Sequence, residues 1–239
     1  TYQRLLGLRD AIPHHTFLQY TATPQAPLLI NIIDSLSPGF VEVLEPGTGY
    51  VGGQAFFTGN MPLIRVIDPD DISTDDNPLV DPPEPLCEAL RIFLLGVAAG
   101  LVEGQSARNP RRSMLVHPSQ RTDSHAEYWR WISDMFDEWQ RVLELPDGDG
   151  DKLDLLEEFG RDYADTVDAL PPFDDLAQRL PRAFRRTKIE QVNARAGQTP
   201  EIDWSQSYGW ILVGGQAMDR GFTVEGLTVT YMPRGPGMG

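Results

Sequence analysis

The sequence predicts an α/β protein in which helices cover a parallel sheet, and three observations predict it. Ile211-Leu212-Val213, bounded by Gly214 and Gly215, is a short continuous apolar run, the form taken by a strand buried on both faces. The second part of the chain alternates strand, helices, strand and strand, the order that builds a parallel sheet. The segment from about Leu86 to Val102 is apolar nearly all round, as expected of a helix sandwiched inside a domain. With 239 residues, 41% of them hydrophobic, the chain can bury one large core or two small ones.

In chain order, 16–20 is a short β-prone run leading into Thr21-Ala22-Thr23-Pro24-Gln25, a tight exit whose hydroxyls can bond neighbouring loops. Leu28, Leu29, Ile32, Ile33 and Leu36 recur at helical spacing, and Ser37-Pro38-Gly39 ends that pattern. Strands are expected at 40–44 and 63–67. From Asp68 to Pro85 the composition turns to Asp and Pro, which reads as a connecting segment. After the apolar helix and a basic loop (108–112), residues 113–119 read as a strand whose polar end carries His117 and Ser119. On a helix from about 124 to 145, Tyr128, Trp131, Ile132, Met135, Trp139 and Val142 form a stripe expected to be core. Helical patterns follow at 153–163 and 173–184, broken by Pro171-Pro172 and Pro181, then a strand at 189–194 and a polar loop at 196–207. Residues 211–234 read as strand, loop, strand, ending in alternating Leu227, Val229 and Tyr231.

Composition excludes some classes of function. A net charge of -15 and a pI near 4.5 oppose a free-standing nucleic-acid binder unless cations concentrate locally. Two local groups exist, Arg108, Arg111 and Arg112, and Arg179, Arg182, Arg185, Arg186 and Lys188; a solvated helix end is the ordinary reading of each. Cys87 is alone, so no disulfide forms within the chain, and a reducing cytoplasm is the simpler setting. Ile92 to Val102 is shorter than the roughly 20 apolar residues of a membrane helix. The chain starts at Thr1 without Met and stops in Gly235, Pro236, Gly237 and Gly239, so an excised piece of a longer protein is expected.

The candidate sites differ in how specific they are. Gly47-Thr48-Gly49-Tyr50-Val51-Gly52-Gly53 is glycine-rich, but no Lys-Ser/Thr pair opening a helix follows it, as a phosphate cradle of that kind requires. Asp68, Asp70, Asp71, Asp75 and Asp76 suit a solvated linker better than a metal, because nothing fixes their geometry. His117 and His125 lack the Cys or second His pair of a zinc site. Asp147, Asp149, Asp151 and Glu158 have the spacing of a calcium loop, yet Lys152 and Asp154 stand where that loop needs Gly and an apolar residue. The best candidate follows the apolar strand: Gly214 and Gly215 let backbone N–H groups turn toward an anion, and Arg220 beside Gly221 supplies a planar fork of donors. Phosphate is the natural guest there.

Phe17 to Gln25, Met114 to Ser119 and Ile211 to Arg234 together resemble the Z-one domain family, bacterial proteins labelled endonucleases that accompany superfamily two helicase modules in restriction-like and phage-defence gene neighbourhoods. The resemblance implies a RecA-like parallel sheet with flanking helices. It places the trailing part of a first RecA-like domain at 1–67, an acidic, Pro-rich connector at 68–85 and a truncated second, helicase-type domain at 86–239. It implies ATP coupling through Thr21, Thr23 and Gln25, which are similar to the third helicase motif. It implies nucleic-acid or phosphate contact through Gly214, Gly215, Arg220, Gly221 and Thr223, similar to the fifth motif, with His117 and Ser119 beside them. Thr223 stands where many helicases carry Asp, and Gly214-Gly215 where they carry Thr-Asp. The implied partners are DNA, the remainder of the parent protein with its nucleotide-binding and arginine-finger segments, and other defence-system subunits, with no membrane. ATP and Mg²⁺ belong to the intact protein, and no cofactor is expected in this chain, which lacks the Lys and acidic groups phosphoryl transfer needs. Two alternatives stand beside the motor: a metal-dependent nuclease using Asp68, Asp70 and His117, and a non-catalytic interaction module docking through exposed aromatics.

Overall fold

The structure, a computed structural model, describes residues 2–21, 36–48, 50, 52–58, 63–74, 76–104, 111–118, 122–166, 170–192, 202–215 and 223–233. The chain divides into two compact units, Thr1–Gly52 and Gly53–Gly239.

In the first unit, helix α1 (Tyr2–Ala11) buries none of its residues. No apolar stripe announces it, and it rests on the helix-forming residues Gln3, Arg4, Leu5, Leu6, Leu8 and Arg9. The runs expected as strands at 16–20 and 40–44 carry no strand, and Phe40, Val43 and Leu44 stand exposed. A β-prone run becomes a strand only where a neighbour takes its N–H and C=O groups and a layer covers its side chains. The helix expected at 28–36 lies almost wholly outside the described residues.

The second unit opens with a five-residue helix, α2 (Gly53–Phe57). The strand expected at 63–67 is also absent; instead Ile67 packs against the core and Arg65 pairs with Glu88. A 3-10 turn at Pro69–Asp71 follows, capped by the Asp68 carboxylate, which accepts from the Asp70 N–H at 3.0 Å. Helix α3 (Glu84–Val102) starts where Pro83 and Pro85 favour helix entry and ends at Gly104, whose φ of +83° suits a glycine beyond a helix C-terminus. By length and composition α3 could cross a membrane, but 61% of its apolar window is buried inside this fold. It is the central core helix.

Strand β1 (Arg112–Val116) leads to α4 (Thr122–Leu143), α5 (Gly150–Ala164) and α6 (Phe173–Arg185), followed by β2 (Thr187–Val192). A second 3-10 turn (Trp204–Gln206), β3 (Gly209–Gly214) and β4 (Leu227–Tyr231) complete the described elements. All four strands are parallel, in the order β2-β3-β1-β4, with Val116 level with Val213 and Tyr231, and Val192 level with Gly214. One face, with Met114, Val116, Ile211, Val213 and Tyr231, packs on α3 to α6 in the main core. Tyr128, Trp131, Ile132 and Val142 of the predicted aromatic stripe are buried there, and Met135 and Trp139 are partly so. The other face has a smaller cluster, Val192, Trp210 and Leu212, under Ile202, Trp204 and Val224. Every residue of β3 is buried, which is why its sequence is a continuous apolar run.

Candidate functional site

Parallel strands put all their carboxyl ends at one edge, and the direction in which each connection leaves decides where a crevice can form. From β1 the chain passes to α4, α5 and α6 on the main-core face. From β3 it next reaches Val224, on the opposite face. β1 and β3 are neighbours, so their carboxyl ends stand side by side, with His117 on one and Gly214-Gly215 on the other. Open α/β sheets bind ligands outside the carboxyl ends of their strands.

The described residues of this edge are polar and enclosed. His117 is 1% exposed, and its N–H donates to the Tyr231 carbonyl at 2.9 Å, tying the ends of β1 and β4 together. His125, in the first turns of α4, is buried as well. Tyr128, one turn further along α4, faces Tyr231 with ring centroids 6.2 Å apart. Their hydroxyls interact, but the enclosed Tyr231 hydroxyl gains no hydrogen bond of good geometry among the described residues. Burial pushes the Tyr128 phenol up to about 12, against the lowering pull of Tyr231 and a Ser73 backbone bond. Burial, and then the neighbouring Tyr128, push the Tyr231 phenol up as well. Both phenols therefore stay neutral near neutrality and line the edge as uncharged groups.

Of the sequence-predicted site residues, the fold brings His117, Gly214 and Gly215 together at adjacent strand ends, all buried. Thr223 is exposed, on the stretch leading to the amino end of β4. Thr21 is exposed in the first unit. Thr23, Gln25, Ser119, Arg220 and Gly221 lie outside the described residues. Sequence reading did not single out Tyr231 as a site residue, nor Tyr128 as more than core. The signal was faint: an aromatic closing one strand, and another one turn into the helix that follows its neighbour.

Other polar groups are engaged structurally. Asp149 caps α5, Asp147 pairs with Lys152 at 2.7 Å, and Glu158 bonds Arg91, which accounts for three residues of the calcium-like spacing. Arg91, 3% exposed in α3, also holds Asp162 and Glu84 at 2.5 Å each and lies over the Trp139 ring. Among the described residues no three His, Cys, Asp or Glu side chains converge as metal ligands. Two surface depressions lie away from the carboxyl edge. One, lined by Arg111, Asp203, Trp204 and Glu225, is at the amino end of the strands, where Arg111 is paired with Glu225 at 3.0 Å. The other runs between Pro82 and α4, along Trp131 and Trp139. We place the candidate site at the carboxyl edge because the predicted His117, Gly214 and Gly215 meet there. Its described residues offer glycine backbone, imidazole and neutral phenols, and they do not supply the Lys and acidic pair that ATP with Mg²⁺ requires.

Fold and site thus define a parallel α/β domain whose carboxyl edge brings His117 and Gly214-Gly215 together. A sequence profile of the Z1 domain matches residues 85–239, which span every strand and every helix of the main core. The chain belongs to the Z1 domain family. No curated protein and no solved structure matches it.

Proposed function

We propose that this Z1 domain is the nucleic-acid-contacting and coupling part of a bacterial, cytoplasmic, ATP-dependent DNA-processing protein of the helicase or translocase kind, acting in restriction or phage defence. In this reading, residues 86–239 are a second RecA-like domain and residues 1–67 the trailing part of a first. ATP and Mg²⁺ are bound by the intact protein, together with its nucleotide-binding and arginine-finger segments. The observation that supports the reading is that His117 and Gly214-Gly215 end neighbouring parallel strands, side by side at the carboxyl edge. Glycine amides accept the close approach of a phosphate, and Arg220-Gly221 follows Gly215 in the sequence, with Thr223 beyond it toward the amino end of β4. Ser119, two residues after His117 in the sequence, adds a hydroxyl to this reading, while Thr21, Thr23 and Gln25 relay the nucleotide state.

The test is DNA-stimulated ATP hydrolysis by the purified full-length parent. A hydrogen bond to a charged group contributes about 1.5–3 kcal/mol, so Arg220→Ala should lower DNA stimulation by roughly ten- to a hundredfold at unchanged melting temperature. A full-length protein with no DNA-stimulated ATPase would remove the motor reading. Plasmid nicking with Mg²⁺ or Mn²⁺, abolished by changing Asp68, Asp70 and His117, would replace it with a nuclease. A second reading, a docking module for other subunits, is favoured by the exposure of Tyr20, Phe40, Leu44, Phe57 and Val66. It gains if Arg220→Ala leaves ATPase and DNA affinity intact while Phe40→Ser abolishes capture of a partner subunit.

A further inference from the structure

We propose that the exposed flank of α6 is a second contact surface for nucleic-acid phosphates, separate from the carboxyl edge. It shares with the reading above only the premise that nucleic acid is the partner. Arg179, Arg182, Arg185, Arg186 and Lys188 are all exposed, while Leu176, Leu180, Ala183 and Phe184 bury the other side of α6. Five of the chain's 20 Lys and Arg residues thus fall within ten positions, and no Asp or Glu occurs from Leu176 to Ile189, in a chain of net charge -15. Arg182 and Arg185 lie in the last turn, where a helix favours cations. That explanation does not extend to Arg179, further back, or to Lys188, on the next strand.

The partners of these cations leave positive charge on the surface. Arg185 reaches Glu144 only at 3.9 Å. Lys188 donates to the neutral Gln206 side chain at 2.7 Å and lies over the Trp210 ring. Among the described residues no carboxylate forms an ion pair with Arg179 or Arg182. Spacings of three and four put Arg179, Arg182 and Arg186 on one flank of the helix. At 1.5 Å per residue they span about 10 Å, the axial length over which one strand of a duplex presents about three phosphates. The ridge lies at the amino end of the edge strand β2, the opposite end of the strands from His117 and Gly214.

The test is fluorescence anisotropy of the 239-residue chain with a labelled duplex between 50 and 200 mM salt. Each lost phosphate contact lowers the salt slope by about 0.9, so Arg179→Gln with Arg182→Gln should lower it by about 2 and shrink the affinity loss over that interval roughly twelvefold. Arg179→Lys with Arg182→Lys should keep the slope, and Arg130→Gln on α4 should leave it unchanged; circular dichroism melts check the fold of each. An unchanged slope in the folded Gln variant, or no duplex binding by the chain at all, overturns the proposal. So does loss of binding to phosphatidylserine vesicles in that variant with duplex binding intact. The two readings separate, because Arg220→Ala acts on ATPase coupling in the parent, whereas the ridge variant changes DNA affinity and leaves ATPase at saturating DNA unaltered.

Discussion

Replacing Gly226 by Ala should loosen the seam between β1 and β4, and comparison with Gly104→Ala isolates the reason. Both glycines have left-handed backbones, with φ of +67° at Gly226 and +83° at Gly104. A Cβ at Gly104 meets nothing within 4 Å, so Gly104→Ala carries only the left-handed penalty of about 1–2 kcal/mol. A Cβ at Gly226 collides with the Arg111 carbonyl, which is backbone and cannot swing aside. Relief requires moving the Gly226 segment off β1. That breaks the bond from the Ser113 N–H to the Gly226 carbonyl at 2.8 Å and the bond from the Ser113 hydroxyl to the Glu225 carbonyl at 2.6 Å. Ser113 is fully buried, and a stranded buried donor costs about 1–3 kcal/mol. With both donors stranded, Gly226→Ala should therefore cost about 3–8 kcal/mol in all, a large share of a domain stability of about 5–15 kcal/mol. Urea unfolding of both variants reads the difference directly. If Gly226→Ala costs no more than Gly104→Ala, the backbone collision does not govern this junction.

Arg91→Met should destabilise by about 3–5 kcal/mol, because it leaves the Asp162 carboxylate, 7% exposed, without its partner. Adding Asp162→Leu should recover most of that loss in the same urea assay. Asp149→Ala removes the acceptor for the Asp151 N–H at the start of α5 and should cost about 1 kcal/mol, seen as a small drop in melting temperature. Burial raises the Cys87 thiol from 9.0 to about 11 and the Tyr128 phenol from 10.0 to about 12. The fold thus holds both groups protonated, so the stability they add is complete below pH 9. It is lost as pH climbs from 9 to 11 for Cys87 and from 10 to 12 for Tyr128. In urea midpoints measured against pH, Cys87→Ser should flatten the fall between pH 9 and 11.

Legibility differed between the two units for a physical reason. In the second, β3 and the stripe on α4 were readable because burial on a sheet or along a helix face imposes a period on the residues themselves. At 16–20, 40–44 and 63–67 the same local preference for extended chain was present, but no described strand lies alongside to use it. β2 starts two residues before the expected 189 because Thr187 already pairs with Gly209 of β3, whose N–H donates to the Arg186 carbonyl at 2.8 Å. The glycines after β3 and the histidine after β1 were each visible as candidates. That they are neighbours was not.

By itself the sequence determined the α/β class, the buried apolar helix, the resemblance to the Z-one family and the residue types able to meet a phosphate. These follow from periodicity, composition and short motifs, all properties of the chain near each residue. Only the tertiary structure decided the strand order β2-β3-β1-β4, and with it the meeting of His117 with Gly214-Gly215 and the pairing of Tyr128 with Tyr231. Strand order depends on which distant segments bury one another's apolar faces, and no local pattern encodes that choice.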